Sequence, residues 1–258
     1  MKRSAFTLIE LLIVIAIIAV LAGILFPIFV RAKESGTQTT ALAQMKQIGT
    51  AFTMYVDESD GKILPSTNYG LPEGSAERMW PNNLLIYAKD QRLFVAPGSN
   101  GVYADTWAKR GGMTIGYNSS SAIDRQKGCS EDQEELSGCV AFKTAAAFEK
   151  NDPSYMALFA CTPGGTVDQK YRGYEFSPYT GIPNPENPRL TPPLVSDRDL
   201  VKELSDLPAD QIKPIHARYM ASGSDDGSTP VIFGDGHAKA YSAKEILANQ
   251  ARIVWRLR

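Results

Sequence analysis

The chain has 258 residues, 43% hydrophobic and 21% charged, which excludes disorder throughout and allows one large domain or two small ones. A formal net charge of −1 and an isoelectric point near 6.2 provide no basic field for gripping phosphates, and no motif interleaves arginines with aromatic residues, so nucleic acid is not an expected partner. The apolar residues are unevenly spread, because everything after Arg31 has soluble composition while the stretch before it does not.

Leu11 to Val30 is an uncharged run of 20 residues. As a helix rising ~1.5 Å per residue it covers about 30 Å, the hydrocarbon thickness of a bilayer. Lys2 and Arg3 precede it with no acidic residue before Glu10, so the positive-inside bias keeps the N-terminus cytoplasmic and sends the remainder outward. A secretory signal peptide would share the basic start, but this apolar run is too long and no clean cleavage region follows it. Glu10 sits inside the apolar stretch, where an ionised carboxylate needs a partner; no Lys, Arg or His lies between Thr7 and Val30, so either Glu10 lies near the cytoplasmic interface or another subunit supplies the positive group. Gly23 and Pro27 disfavour a soluble helix, yet a membrane or a packed filament core accommodates them, with Pro27 as a kink.

Beyond Arg31 the helical pattern turns amphipathic. Leu42, Met45, Ile48, Phe52 and Tyr55 recur at steps of three and four residues and form a single stripe suited to packing on a sheet. The helix is expected to end in "DESDGKILP", between Asp57 and Gly61. Chain segments follow as 6–30 for the membrane or assembly helix, 31–60 for its amphipathic continuation and 61–258 for an extracytoplasmic globular part. Within that part the pattern predicts a short helix at Leu84–Ala88, strands at Thr114–Asn118 and Tyr155–Cys161, a closing pair at Val231–Phe233 and Ala238–Tyr241, and a last amphipathic helix from Ala243 to about Trp255. Residues 173–193 are too rich in proline for regular structure and are expected to be a surface excursion. The fold class is α+β, one long helix laid on a small antiparallel sheet.

"AFTLIELLIVIAIIAVLAGILFP" resembles the N-terminal signal of type IV prepilins and type II secretion pseudopilins: a short basic leader, a small residue, Phe, then a long apolar helix with Glu at the fifth mature position. The resemblance implies a pilin-like fold, removal of the leader 1–5 by a prepilin peptidase between Ala5 and Phe6, and methylation of the Phe6 amine. Ala5 stands where the family usually has Gly. The same resemblance implies that Glu10 neutralises a neighbouring subunit's N-terminal amine while the helices pack into a filament core on an inner-membrane assembly platform. "RMWPNNLLIYAKDQRLFVAPGSN", "TIGYNSS", "DPSYMALFAC" and "VIFGDGHAKAYS" are similar in order and kind to a bacterial group of pseudopilin-like proteins with a C-terminal His, spacer, Asp-Gly-His region. Here Ala96 replaces a frequent Cys, and the spacer reads either to Asp226-Gly227 or further on to Asp235-Gly236-His237.

The only two histidines, His216 and His237, lie near Asp225, Asp226 and Asp235 in sequence, so a metal or acid–base centre has to be weighed. Their spacing favours a plainer reading, in which Gly234-Asp235-Gly236 makes a hairpin turn and His237 starts the return strand. "DESDG" and "SGSDDGS" are oxygen-rich, and some major pseudopilins bind calcium in a C-terminal loop, but neither stretch has full calcium-loop spacing. No cofactor is expected, with calcium left open. Cys129 and Cys139 bracket an acidic nine-residue segment and are a candidate disulfide in an oxidising compartment, whereas Cys161 reads as a buried thiol. No GxSxG, Walker or Rossmann signature occurs, so no enzyme is expected. The expectation is a single-pass inner-membrane protein acting as a pilus or pseudopilus subunit, major or minor. Its competitor is a monomeric membrane-tethered binding protein or enzyme with His216, Asp235 and His237 as its site.

Overall fold

The computed structural model describes residues 7–61, 63–68, 71–119, 123–124, 141–142, 152–164, 173–177, 194–196, 213–220, 227–248 and 252–255. Its first element, α1, is one continuous helix, Leu8–Glu58, of 51 residues. The helix starts where Thr7 caps it and ends where Ser59, Asp60 and Gly61 turn away, the last two at positive φ. Its halves have different surroundings. From Leu8 to Phe29 every residue is exposed, and burial begins in earnest at Ala41, Met45, Ile48, Gly49, Ala51 and Phe52.

A second helix, α2, spans Trp80–Ala88. It starts four residues ahead of the predicted Leu84 because Pro81, with its preset φ and no N–H to satisfy, sits in the first turn. The strands in chain order are β1 (Ile115–Asn118), β2 (Ile123–Asp124), β3 (Ala141–Phe142), β4 (Ala157–Cys161), β5 (Glu175–Phe176), β6 (Leu194–Ser196), β7 (Ile215–Ala217), β8 (Ser228–Phe233) and β9 (Ala238–Ser242). A last short helix, α3, covers Ala243–Leu247 behind a Ser242/Glu245 capping box.

Five strands form the main sheet in the order β5-β1-β4-β8-β9, and β2 with β3 and β6 with β7 make two smaller pairs. The architecture is α+β, α1 packed on a small sheet. The sheet is mixed rather than wholly antiparallel, since β5 joins β1 in parallel through Tyr117↔Glu175 and Asn118↔Phe176. That strand lies inside the stretch read as a proline-rich surface excursion. Glu175 and Phe176 are buried, and the Glu175 carboxylate meets the Lys213 ammonium at 3.4 Å, so the excursion begins in the core.

Both faces of the sheet are covered. Against α1, Phe52, Trp80, Tyr117 and Phe159 form an aromatic knot, with Tyr117 and Phe159 stacked at 4.6 Å and Trp80 4.9 Å from Phe159. On the opposite face Phe176, Ile215, Val231, Phe233, Ile246 and Trp255 close a second cluster. The expected helix from Ala243 to Trp255 stops at Leu247, because Ile253 and Trp255 are buried in alternation with exposed Arg252 and half-buried Val254, a two-residue period that only extended chain satisfies. Val254 pairs with Met156, and the Asn118 side-chain amide donates to the carbonyls of Ala157 (2.9 Å) and Trp255 (2.8 Å), tying the C-terminal segment to the sheet.

Candidate functional site

Two regions carry the chemistry singled out in the sequence, the N-terminal half of α1 and the β8–β9 hairpin. At the start of α1, Thr7 and Glu10 cap each other. The Glu10 carboxylate accepts from the Thr7 backbone N–H (2.9 Å) and hydroxyl (2.8 Å), while the Glu10 N–H donates to the Thr7 hydroxyl oxygen (3.2 Å). Thr-x-x-Glu ahead of an apolar run is the sequence signature of such a box, so Thr7 was available to sequence reasoning as the local partner of Glu10. Ala5 and Phe6 lie outside the described residues.

From that cap the helix presents nothing but apolar side chains. Leu8, Ile9, Val20, Leu25, Phe26 and Phe29 are each more than 60% exposed, a surface that water does not tolerate over such a length. The helix is long and apolar enough to cross a membrane. Pro27 sits inside it, and because proline has no N–H the carbonyl four residues back receives no helical hydrogen bond. That carbonyl belongs to Gly23, where an added Cβ would meet nothing within 4 Å beyond the helix's own backbone, so the two helix-weakening residues act on a single turn.

The hairpin shows a different kind of organisation. The Phe233 N–H donates to the His237 carbonyl and the Gly236 N–H to that of Phe233, both at 2.9 Å, with Gly236 at φ +84°. Asp235 accepts from the His237 N–H at 3.1 Å and meets its ring Nδ1 at 2.5 Å, and that ring stacks on Phe233 at 4.4 Å. Asp235 and His237 are thus committed to the turn and to each other. His216 is buried in β7, next to Ala217, whose carbonyl lies against Gly227 at the start of β8, whereas Asp235 follows the end of β8. Six extended residues separate them by about 20 Å. The three-residue centre of the tethered-enzyme reading is therefore not assembled, and no group of three or more His, Cys, Asp or Glu among the described residues can hold a metal. Cys129, Cys139, Asp225 and Asp226 lie outside the described residues. Cys161 is buried at the end of β4, and burial pushes its thiol up.

Residues 1–26 match the prokaryotic N-terminal methylation motif. Type II secretion system core protein G of Escherichia coli (strain K12) is 36% identical over 123 residues, an alignment covering 40% of this chain and 78% of that protein. The chain belongs to the type IV prepilin/pseudopilin family. Type II secretion system core protein G of Vibrio cholerae serotype O1 is 31% identical over 70 residues, covering 27% of this chain and 47% of that protein, so the pseudopilin spans about half the length of this second relative. No solved structure matches the pseudopilin. Membership accounts for the bare helix, since the family is structural rather than catalytic.

Proposed function

We propose that this pseudopilin is a structural subunit of a type II secretion pseudopilus or a closely related pilus-like filament. One observation carries the reading: a methylation motif over residues 1–26 opens a helix whose apolar half is wholly uncovered by the rest of the chain. Such a surface requires lipid before assembly and other copies after it. Lys2 and Arg3 hold the N-terminus on the cytoplasmic side, a prepilin peptidase cuts between Ala5 and Phe6, and the new Phe6 amine is methylated. Glu10, capped by Thr7 in the single subunit, becomes the counter-charge for a neighbour's amine when the helices associate on the inner-membrane platform. Cleavage before Phe6 leaves Thr7 and its hydroxyl in place, so the cap survives processing.

Intact-mass and N-terminal peptide mass spectrometry on the protein from membranes and sheared filaments of its native host tests this. A chain starting at N-methylated Phe6 is expected, together with loss of filaments in Glu10→Ala while the globular part stays folded. A chain that keeps Met1 beside an active prepilin peptidase, or filaments unaffected by Glu10→Ala, would favour a simple tether.

A further inference from the structure

The contacts along α1 fix which end of the globular part faces the membrane. The Gln38 side chain donates to the Ser228 hydroxyl at 2.8 Å, whereas Gly49 lies against the turn at Gly236. Strand β8 therefore climbs away from the apolar run, and β9 returns toward it, with Ser242 paired to Ser228. Tyr219 also bridges Ser228, its hydroxyl reaches the Pro97 carbonyl at 3.2 Å, and Gly98 packs by Thr37. Residues 97–98, 219–220, 228 and 242 together mark the lower rim of the globular part, and α3 starts there on the sheet face opposite α1, with the Ala243 N–H on the Gly227 carbonyl.

Two large apolar side chains stand exposed here, Met220 (46%) on the rim and Leu247 (63%) on α3. Arg31 and Lys33, both exposed, lie on the helix just beneath it. Gln38 is eight residues beyond Val30, about 12 Å along the helix. The polar headgroup layer occupies roughly 5–8 Å of that height on each side of a bilayer. The remaining ~5 Å is within reach of a long side chain and of the ~20° tilt usual for spanning helices.

We propose that this rim docks on the phospholipid surface that the helix crosses, Met220 and Leu247 entering the headgroup layer while Arg31 and Lys33 engage lipid phosphates. The docking rests on the reading of Leu11 to Val30 as a bilayer span. It sets the orientation of the globular part in the unassembled subunit and has to be released when the subunit enters a filament. Cations beside apolar side chains at the edge of a spanning segment match the chemistry of an interfacial anchor.

The test uses the full chain in nanodiscs of phosphatidylethanolamine and phosphatidylglycerol, with p-benzoylphenylalanine placed singly at Met220, Leu247, Ile86 or Val20 and lipid adducts measured by intact mass after irradiation. Ile86, 76% exposed on α2, reports an exposed apolar site away from the rim, and Val20 reports the span. Adducts at 220 and 247 are expected about tenfold above those at 86, the bias that burying one aliphatic side chain produces. They are expected to fall when Arg31→Gln and Lys33→Gln are combined. Yields at 220 and 247 no higher than at 86, or unchanged in the double variant, overturn the docking if Val20 still forms adducts. Absence of adducts at Val20 instead overturns the span.

Discussion

Tyr117 is the residue on which the aromatic core makes an unreturned demand. It is fully buried between Phe159, Trp80 and Phe52, and its hydroxyl has no hydrogen-bond partner among the described residues. A buried hydroxyl without a partner loses its hydration with nothing in exchange, so removing the oxygen should help rather than harm. Tyr117→Phe is expected to raise stability by about 1 kcal/mol, seen as a higher urea midpoint for the detergent-solubilised full chain. A lower midpoint would mean that the hydroxyl is satisfied after all. Gly49 shows the opposite constraint. A Cβ there would press into the Gly236 carbonyl, and Gly236 itself needs a positive φ, so helix and hairpin meet through two residues without side chains.

Among the elements, the C-terminal segment depends most on one side chain. Asn118 closes the end of β1 by donating to β4 and to the Trp255 carbonyl at once, and both acceptors are buried. Asn118→Ala is expected to cost roughly 2–3 kcal/mol, since it strips the donor from two desolvated carbonyls. In hydrogen exchange, amides 252–255 should lose protection more than those of α1. Uniform loss would show that the segment is not held locally. The strands and helices differed in how far the sequence revealed them. The apolar run and the Met45, Ile48, Phe52 stripe made α1 legible, because period and length act within one element, and β1, β4, β8 and β9 followed from short apolar strings. Ala41, Gly49 and Ala51 are core positions that a search for large apolar side chains passes over. The parallel strand Glu175–Phe176 was illegible because its stability comes from pairing with a strand nearly sixty residues earlier and from the Lys213 contact, not from its own composition. The final helix was overextended because Ile253 and Trp255 fit either period locally, and only the second core face decides between them. At the functional surface, Glu10 was legible as an oddity in apolar surroundings, and the separation of His216 from Asp235 required the strand between them.

For the whole molecule, alkaline pH tests how tightly these layers are closed. Burial pushes the Tyr103 phenol up to about 12, with Asp105 adding to the effect, and burial likewise raises Tyr117 and Tyr219 well above their ordinary value of 10.0. These three hydroxyls stay protonated in the folded chain after their unfolded counterparts have begun to ionise. Between pH ~10 and ~12 the unfolded state therefore binds fewer protons than the folded one, so stability falls as pH rises. It is intact below the unfolded value near 10 and is lost through the folded values. The limiting slope is about 1.4 kcal/mol per pH unit for each fully buried tyrosine, less for half-exposed Tyr103. The urea midpoint should hold steady from pH 8 to 9.5 and then drop, with absorbance at 295 nm showing delayed phenolate formation until unfolding releases it. Tyr117→Phe should flatten the drop without removing it, because Tyr219 stands under the other end of the sheet and Tyr103 beside α2. A midpoint independent of pH up to 12, or phenolate appearing at its ordinary pH in the folded chain, would mean that water reaches these sites and that the sheet is not sealed between its two cores.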